Sequence, residues 1–375
     1  MSLLNILKEK NKRLLFGAIL AFTLITYAPS VKNDFIRGWD DGAYLFENDY
    51  LHGFSAANLK HIFTQEEQGN YHPLTMLSYA IEYKLFGIDN PMPYHIDNLI
   101  LHLLIISLIF YFIFLLTKNY FISFGVMLLF GIHPMHVESV VWISERKDLL
   151  YTLFFLLSIV NYIKYTSLES QKKYLYYSLI FFVIACLSKG MAVSLAGIII
   201  LIDIFQNRKF DKKTIVEKIP FFVIAVFFGL LAVKMQGSSV QPDIPFTVSE
   251  RLRIVNYTVI AYFQKLLAPV NLCGFYPYPS KPENNEIASY FWFFPIAVAA
   301  IAAITLYSLK YTKIIFFSLG FFLVTILLVL QILPVGGASM ADRYAYVPSI
   351  GFFLLMACGA ERMIVFFKKN IPPFT

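Results

Sequence analysis

Long apolar runs alternate with short polar segments along this chain. Runs of about 18 or more apolar residues suit membrane-spanning helices, because hydrocarbon leaves each backbone polar group to be satisfied within its own segment. The pattern predicts spans over 14–31, 96–116, 120–134, 149–165, 174–188, 191–205, 219–235, 290–308, 313–333 and 347–367, ten in all. A membrane β-barrel would need period-two segments of about ten residues, and that pattern is absent. The weaker segment 254–268 carries Asn256, Gln264 and Lys265 and reads as an interfacial or re-entrant helix.

Two long connections stand out. The first, 32–95, has segments such as Leu74 to Phe86 that predict amphipathic helices lying along a membrane surface. The second, 236–289, includes Tyr276-Pro-Tyr-Pro-Ser-Lys-Pro282 and predicts irregular structure. The expected fold class is an all-α polytopic membrane protein, one transmembrane domain over 1–367 with a short cytoplasmic tail over 368–375. No internal repeat or low-complexity tract interrupts it.

Composition narrows the class further. The chain is 58% hydrophobic and only 15% charged, whereas soluble domains carry about 25% charged residues. The net charge of +7 speaks to topology more than to a nucleic-acid partner. Basic residues gather in the short connections, among them Lys8, Lys10, Lys12, Arg13, Lys118, Lys172, Lys173, Arg208, Lys212, Lys310 and Lys368. With the N-terminus inside, that is the positive-inside pattern, and both long connections then lie outside. The run Leu14 to Pro29 lacks a convincing cleavage site, so a retained first span is expected. Cys186, Cys273 and Cys358 are scattered and suggest neither a disulfide framework nor a zinc site.

The segment from Gly131 to Asp148 is the densest polar stretch between apolar runs: His133, His136, Glu138, Glu145, Arg146, Lys147 and Asp148. Ionisable groups at a membrane boundary are expensive and usually mark a substrate or ion site. On a helix through this stretch Glu138, Trp142 and Glu145/Arg146 share one face. Arg146 can grip a phosphate bidentately, with Lys147 as a point charge beside it. Equally, the stretch can be a juxtamembrane helix whose charges pair with each other. His133 and His136, three residues apart, are weak evidence for a metal and fit hydrogen-bonding roles better.

Other polar groups converge on the same outer face by this topology. Asp40 and Asp41 in Trp39-Asp-Asp41 can raise one another's pKa, and either can act as a base toward an acceptor hydroxyl. The bland alternative is a solvated Asp-Asp-Gly turn. Lys189 can neutralise a lipid-linked phosphate or simply snorkel. Asp342-Arg343-Tyr344, after Gly336-Gly337, can face a substrate or merely fix a span by an Asp–Arg pair. His72 in Tyr71-His-Pro-Leu-Thr75, and His95 and Asp97 in Tyr94-His-Ile-Asp-Asn98, are candidate substrate contacts or interface anchors, and His102 lies at the start of a span. Carboxylates and cations on one membrane face suit chemistry on an anionic lipid headgroup with a neutral, hydroxylated acceptor.

This ordered set, with Glu145-Arg-Lys-Asp148, Ser188-Lys-Gly190 and Ala341-Asp-Arg-Tyr-Ala-Tyr-Val-Pro-Ser-Ile-Gly351, resembles the membrane portion of the transmembrane and tetratricopeptide-repeat O-mannosyltransferase family. The blocks run from about residue 39 to 351. The resemblance implies a GT-C fold, a bundle of about ten transmembrane helices with a large first extracytoplasmic loop. It implies transfer of a sugar, with mannose the suggested one, from a polyprenyl-phosphate donor. The family's acidic motif of the first loop maps onto Asp40 and Asp41. The last predicted span is followed only by a short tail to Pro372-Pro-Phe-Thr375, so the expectation is a relative lacking the tetratricopeptide repeats, or a short form or fragment of a repeat-bearing protein. The Arg-Lys-Asp wording resembles bacterial relatives and implies an inner membrane with the site facing the periplasm.

The expected activity is therefore an integral-membrane, inverting glycosyltransferase acting on a protein or glycan acceptor. Asp40, Asp41 and Glu138 are its catalytic candidates. Arg146, Lys147, Lys189 and Arg343 would hold the donor phosphate. His72, His95, Asp97, His133, His136, Asp148 and Tyr344 would contact substrate. The sequence requires no cofactor; a divalent metal is compatible with the site. The alternative from another class is a transporter or flippase of lipid-linked saccharides, although the halves show no inverted symmetry; a non-catalytic scaffold would leave the ionisable groups unexplained.

Overall fold

A computed structural model describes residues 9–167, 171–238, 246–281, 286–332 and 337–370. Lys8, Pro282, Leu333, Gly336 and residues 371–375 of the expected tail lie outside them. The described residues form α1 (Glu9–Tyr27), α2 (Ala56–Thr64), α3 (Pro73–Phe86), α4 (Met92–Thr117), α5 (Tyr120–Ile132), α6 (Val137–Val141), α7 (Arg146–Ser167) and α8 (Lys172–Ser188). They continue with α9 (Leu195–Phe205), α10 (Lys212–Val216), α11 (Ile219–Met235), α12 (Val248–Leu267), α13 (Phe293–Ser308), α14 (Lys313–Ile326) and α15 (Ser349–Asn370).

The protein is an all-α membrane protein. Among the described residues six helical segments are long and apolar enough to cross a bilayer, and α5 with the bent continuation Pro134–Val141 makes a seventh at 57°. The sequence pattern predicted ten. The other three expected spans are helices, at Lys172–Ser188, Gly190–Phe205 and Lys313–Val329, but are 17 residues or shorter. At 1.5 Å per residue such helices reach about 26 Å, short of a hydrocarbon core of about 30 Å. Large apolar side chains of α11 point outward, including Phe222, Val223, Phe227 and Leu230, as expected of a surface in contact with lipid.

Local chemistry sets the breaks. The α4–α5 turn uses Lys118 in the left-handed region, φ 53°, and Asn119, whose side chain caps α5 by accepting from the Phe121 amide at 2.9 Å. Helix α5 stops at His133, which precedes a proline and is extended, φ −68° and ψ 130°. A further break falls at Trp142, ψ 120°. The expected single helical face through 138–146 is therefore absent, and the side chains on either side of Trp142 point into different environments.

The main core is built by α1, α4, α5, α7, α8, α9, α14 and α15. Phe35, Tyr44, Leu45, Leu51, Met76, Tyr79 and Ile143 form a second core under the 32–95 connection. Helix α3 belongs to it, yet its outward side chains Ile81, Leu85 and Phe86 are also apolar, so α3 is less cleanly amphipathic than expected. In 236–289, α12 begins with a reciprocal cap between Thr247 and Glu250. The run at Tyr276 was expected to be irregular, but β1 (Tyr276–Pro277) pairs antiparallel with β2 (Ala338–Met340). Pro277 tolerates this position at the edge of a two-stranded ribbon.

Candidate functional site

The α4 and α7 N-termini, the α8 C-terminus, α6 and the turn before α15 meet at one end of the bundle, and the 32–95 connection covers that end. The acidic pair lies there, and its two carboxylates have different surroundings. Asp41 is buried; Oδ2 accepts from the Ile36 amide at 2.7 Å and Oδ1 from the Ser144 amide at 3.0 Å, with the Ser144 hydroxyl on the same oxygen. Burial pushes its carboxyl up, and these hydrogen bonds pull it back. Asp41 thus straps the first connection to the segment before α7. Gly42 is required in this strap, because a Cβ there would collide with the Arg37 carbonyl oxygen. One turn of π-helix, Gly42–Phe46, follows, a distortion frequent at functional sites.

Asp40 is 34% exposed in its side chain, and Oδ2 lies 3.2 Å from Lys147 Nζ. From that pair an ionic chain runs inward. Lys147 Nζ is 3.1 Å from Glu145 Oε1, and Glu145 Oε2 is 3.4 Å from Lys189 Nζ. Lys189 reaches Asp148 Oδ1 at 2.6 Å, and Ser139 donates to Asp148 Oδ2 at 3.2 Å. A branch leads from Glu145 Oε1 to Arg343 Nε at 3.3 Å, and Arg343 Nη1 pairs with Glu138. The Arg343 amide also donates to Glu138 Oε2 at 2.9 Å. The four carboxylates of Asp40, Glu138, Glu145 and Asp148 thus share the three cations of Lys147, Lys189 and Arg343. Among the described residues Arg343 Nη2 makes no hydrogen bond, and Lys189 has partners for two of its three N–H groups.

Arg146 stands apart from this chain. The residue is 1% exposed, and its guanidinium grips Glu82, with Nη2 2.9 Å from Oε1 and Nη1 on Oε2. Nε donates to Asn98 Oδ1 at 2.8 Å, and Nη2 to the Tyr94 carbonyl at 2.9 Å. This guanidinium has no open approach for a phosphate, so its expected place on the donor wall does not match its position. The Trp142 break is the reason: it turns Arg146 toward α3 and α4 while Glu138 faces Arg343. Asp97 is half-buried near this pair and acts on both Glu82 and Arg146 electrostatically.

The histidines divide in the same way. His136 lies 2.8 Å from the Phe130 carbonyl and 3.0 Å from Ser349 Oγ; His133 lies 3.2 Å from the Leu266 carbonyl and accepts from the Met135 amide. Both rings are committed to holding helices together. His72 and His95 are each 3% exposed, and none of their ring nitrogens has a hydrogen-bond partner. His72 sits at the α3 N-terminus beside the Tyr44 ring, centroids 5.0 Å apart, within electrostatic reach of Lys147 and Lys189. Tyr344 is half-buried, with the Arg343 guanidinium 4.9 Å above its ring.

Beside the ionic chain opens a cavity of about 280 Å³, lined by Asp34, Trp39, Asp41, His95, Glu138 and Trp142 among others. No group of three or more His, Cys, Asp or Glu poised for a metal occurs among the described residues. Sequence reasoning missed Glu82 and Asn98. A lone carboxylate between Tyr79, Ala80 and Tyr83 was the available signal, since a buried charge demands a partner. The same logic applies to Asp203 in the apolar α9, which accepts from Tyr162 at 2.9 Å and pairs with Lys218 and Arg208 at the opposite end of the bundle.

The chain is similar over most of its length to curated protein O-mannosyl-transferases. It is 26% identical to protein O-mannosyl-transferase F38B6.6 of Caenorhabditis elegans over 94% of this chain and 52% of that protein. It is 25% identical to human protein O-mannosyl-transferase TMTC3 over 87% of this chain and 40% of the relative. Identity rises to 38% with human TMTC2 over 98 residues, 26% of this chain and 12% of that protein. The chain spans about half the length of the curated relatives it matches. No family model matches it, and no solved structure matches it.

Proposed function

We propose, from the premise that this chain is a TMTC-like family member, that it is an integral-membrane glycosyltransferase. It would move a sugar from a polyprenyl-phosphate donor to a hydroxyl on a protein or glycan, on the extracytoplasmic side. The GT-C-type reading with about ten membrane helices, three of them short, belongs to the same proposal. So do the bacterial inner membrane and the periplasmic face. Mannose is the first sugar to test, because the relatives are named as mannosyl-transferases.

The observation that carries this reading is Asp40, a half-exposed carboxylate at the head of a buried chain of alternating charges. Only one of its oxygens has a partner among the described residues, Lys147. Asp40 would take the proton of the acceptor hydroxyl while that oxygen bonds to the anomeric carbon. The bond from that carbon to the phosphate oxygen breaks in the same step, and its electron pair leaves with the lipid phosphate. Attack opposite the leaving group inverts the anomeric centre. Arg343 and Lys189 retain donors for the departing phosphate, and charge developing there gains from such preset groups. Glu138 would orient Arg343, and Asp41 would hold the loop that presents Asp40.

The test is transfer by the protein reconstituted in membranes, with a panel of labelled polyprenyl-phosphate sugars and hydroxylated acceptors. Product that depends on Asp40 supports the reading. Net movement of intact lipid-linked sugar across the vesicle, without product, would favour a transporter instead.

A further inference from the structure

We infer that the 280 Å³ cavity between the Trp39–Asp41 turn and Trp142 is a monosaccharide subsite, in which Trp39 supplies the stacking face and Trp142 and His95 bind ring hydroxyls. Two observations point to a ligand. The Trp142 indole N–H and both His95 ring nitrogens are buried without a hydrogen-bond partner, although these residues are only 6% and 3% exposed. Asp41 lies near the indole, and the Asn33 and Val141 backbones lie near the imidazole, each without hydrogen-bond geometry. Buried donors and acceptors are normally paired, so unpaired groups on residues that line a cavity suit an incoming polar molecule.

The wall chemistry selects a sugar. Trp39 is 51% exposed and meets Trp142 edge-on, ring centroids 5.3 Å apart at 68°. An indole face offers an apolar platform, and the carboxylates of Asp34 and Glu138 offer acceptors around it. A pyranose matches both, with C–H groups on its faces and hydroxyls on its rim. No lysine or arginine lines the cavity, so an anion alone has nothing to hold it there. Two cations lie close to Trp142: Arg343 is 5.6 Å and Lys147 5.8 Å from its ring. A sugar in the cavity would therefore direct its phosphate toward the ionic chain. At 280 Å³ the space falls below the roughly 300–1,000 Å³ of sites for drug-sized ligands, which fits one ring and not an oligosaccharide.

The sugar's role as transferred group rests on the glycosyl-transfer reading; the binding site itself does not. Of the three tryptophans, Trp39 and Trp142 line the cavity and Trp292 does not. The experiment is a fluorescence titration of the full chain in lipid nanodiscs, carrying Trp292→Phe so that emission reports the cavity. The probes are methyl pyranosides of mannose, glucose, galactose and N-acetylglucosamine, with inorganic phosphate as the anion control. At least one pyranoside should change emission saturably, and phosphate should not. Trp142→Phe and His95→Gln should each weaken that binding by about tenfold, the scale of one buried hydrogen bond. Trp39→Ala should weaken it at least as much, and Trp39→Phe should restore most of it, which separates stacking from misfolding. No saturable response to any pyranoside would overturn the inference, as would equal affinities in the parent, Trp142→Phe and Trp39→Ala. Saturable binding without transfer from any lipid-linked sugar would retire the transferase reading and keep the subsite. Transfer with an unchanged KM in Trp39→Ala and Trp142→Phe would do the reverse.

Discussion

Arg146 and Glu82, 64 residues apart in sequence, form a buried two-point ion pair that ties the start of α7 to α3. Asn98 and the Tyr94 carbonyl occupy the other guanidinium donors, so the pair is satisfied on all sides and joins the first connection to the helical bundle.

Removing one partner leaves the other charged and buried, which costs about 3–5 kcal/mol. Glu82→Gln and Arg146→Ala should each lower thermal stability by that amount, measured on protein in membranes or nanodiscs. Arg146→Lys should also destabilise, since an ammonium cannot make the fork. If Arg146→Ala instead folds normally and only raises the KM for donor, the guanidinium binds phosphate after all.

The two adjacent aspartates should separate in assay. Asp40→Asn removes the proposed base and should cut kcat by about 10²–10⁴-fold with stability intact. Asp41→Asn unpairs the strap to Ser144 and Ile36 and should cost about 1–3 kcal/mol of stability. Undiminished transfer in Asp40→Asn would reject the base assignment.

Arg343→Gln should lower kcat by about 10²-fold or more, because it removes the donor proposed to meet developing phosphate charge. It also frees Glu138, so Glu138→Gln should show a weaker defect of the same kind. The check is kcat and KM measured separately across a series of leaving-group phosphates: a leaving-group role makes the kcat loss grow as the phosphate becomes a poorer leaving group.

His72 gives a pH signature. Burial, with Lys147 and Lys189 nearby, pulls its imidazole down to about 3 from the ordinary 6.5. Unfolded chain therefore binds the proton where folded protein does not, and stability falls as pH drops from about 6.5 toward 3. The slope from this one group is at most about 1.4 kcal/mol per pH unit. His72→Gln should flatten that part of the curve in pH-dependent thermal unfolding. A wild-type profile identical to that of His72→Gln would show that His72 keeps its ordinary pKa.

How legible was this protein in its sequence? The helices were, because apolar runs in hydrocarbon have one local solution, and each of the ten expected segments is helical over most of its described residues. Their spanning lengths were less so, since the breaks at His133 and Trp142 depend on what each side then packs against. Pro134 announced the first break through its restriction on His133. Nothing local announced Trp142, whose neighbours Ser144 and Arg146 are held by Asp41 and Glu82 from the first connection.

The sequence by itself determined which residues are ionisable, and their gathering near helix ends, where charge can survive beside lipid. Only the tertiary structure decided their partners. It made Asp41 a strap and Asp40 the open carboxylate, turned Arg146 toward Glu82, and brought Arg343 to Glu138 across 205 positions. Distance in sequence carries no information about such pairing. It arises because a charge entering a low-dielectric interior is stable only where another element has already placed its opposite.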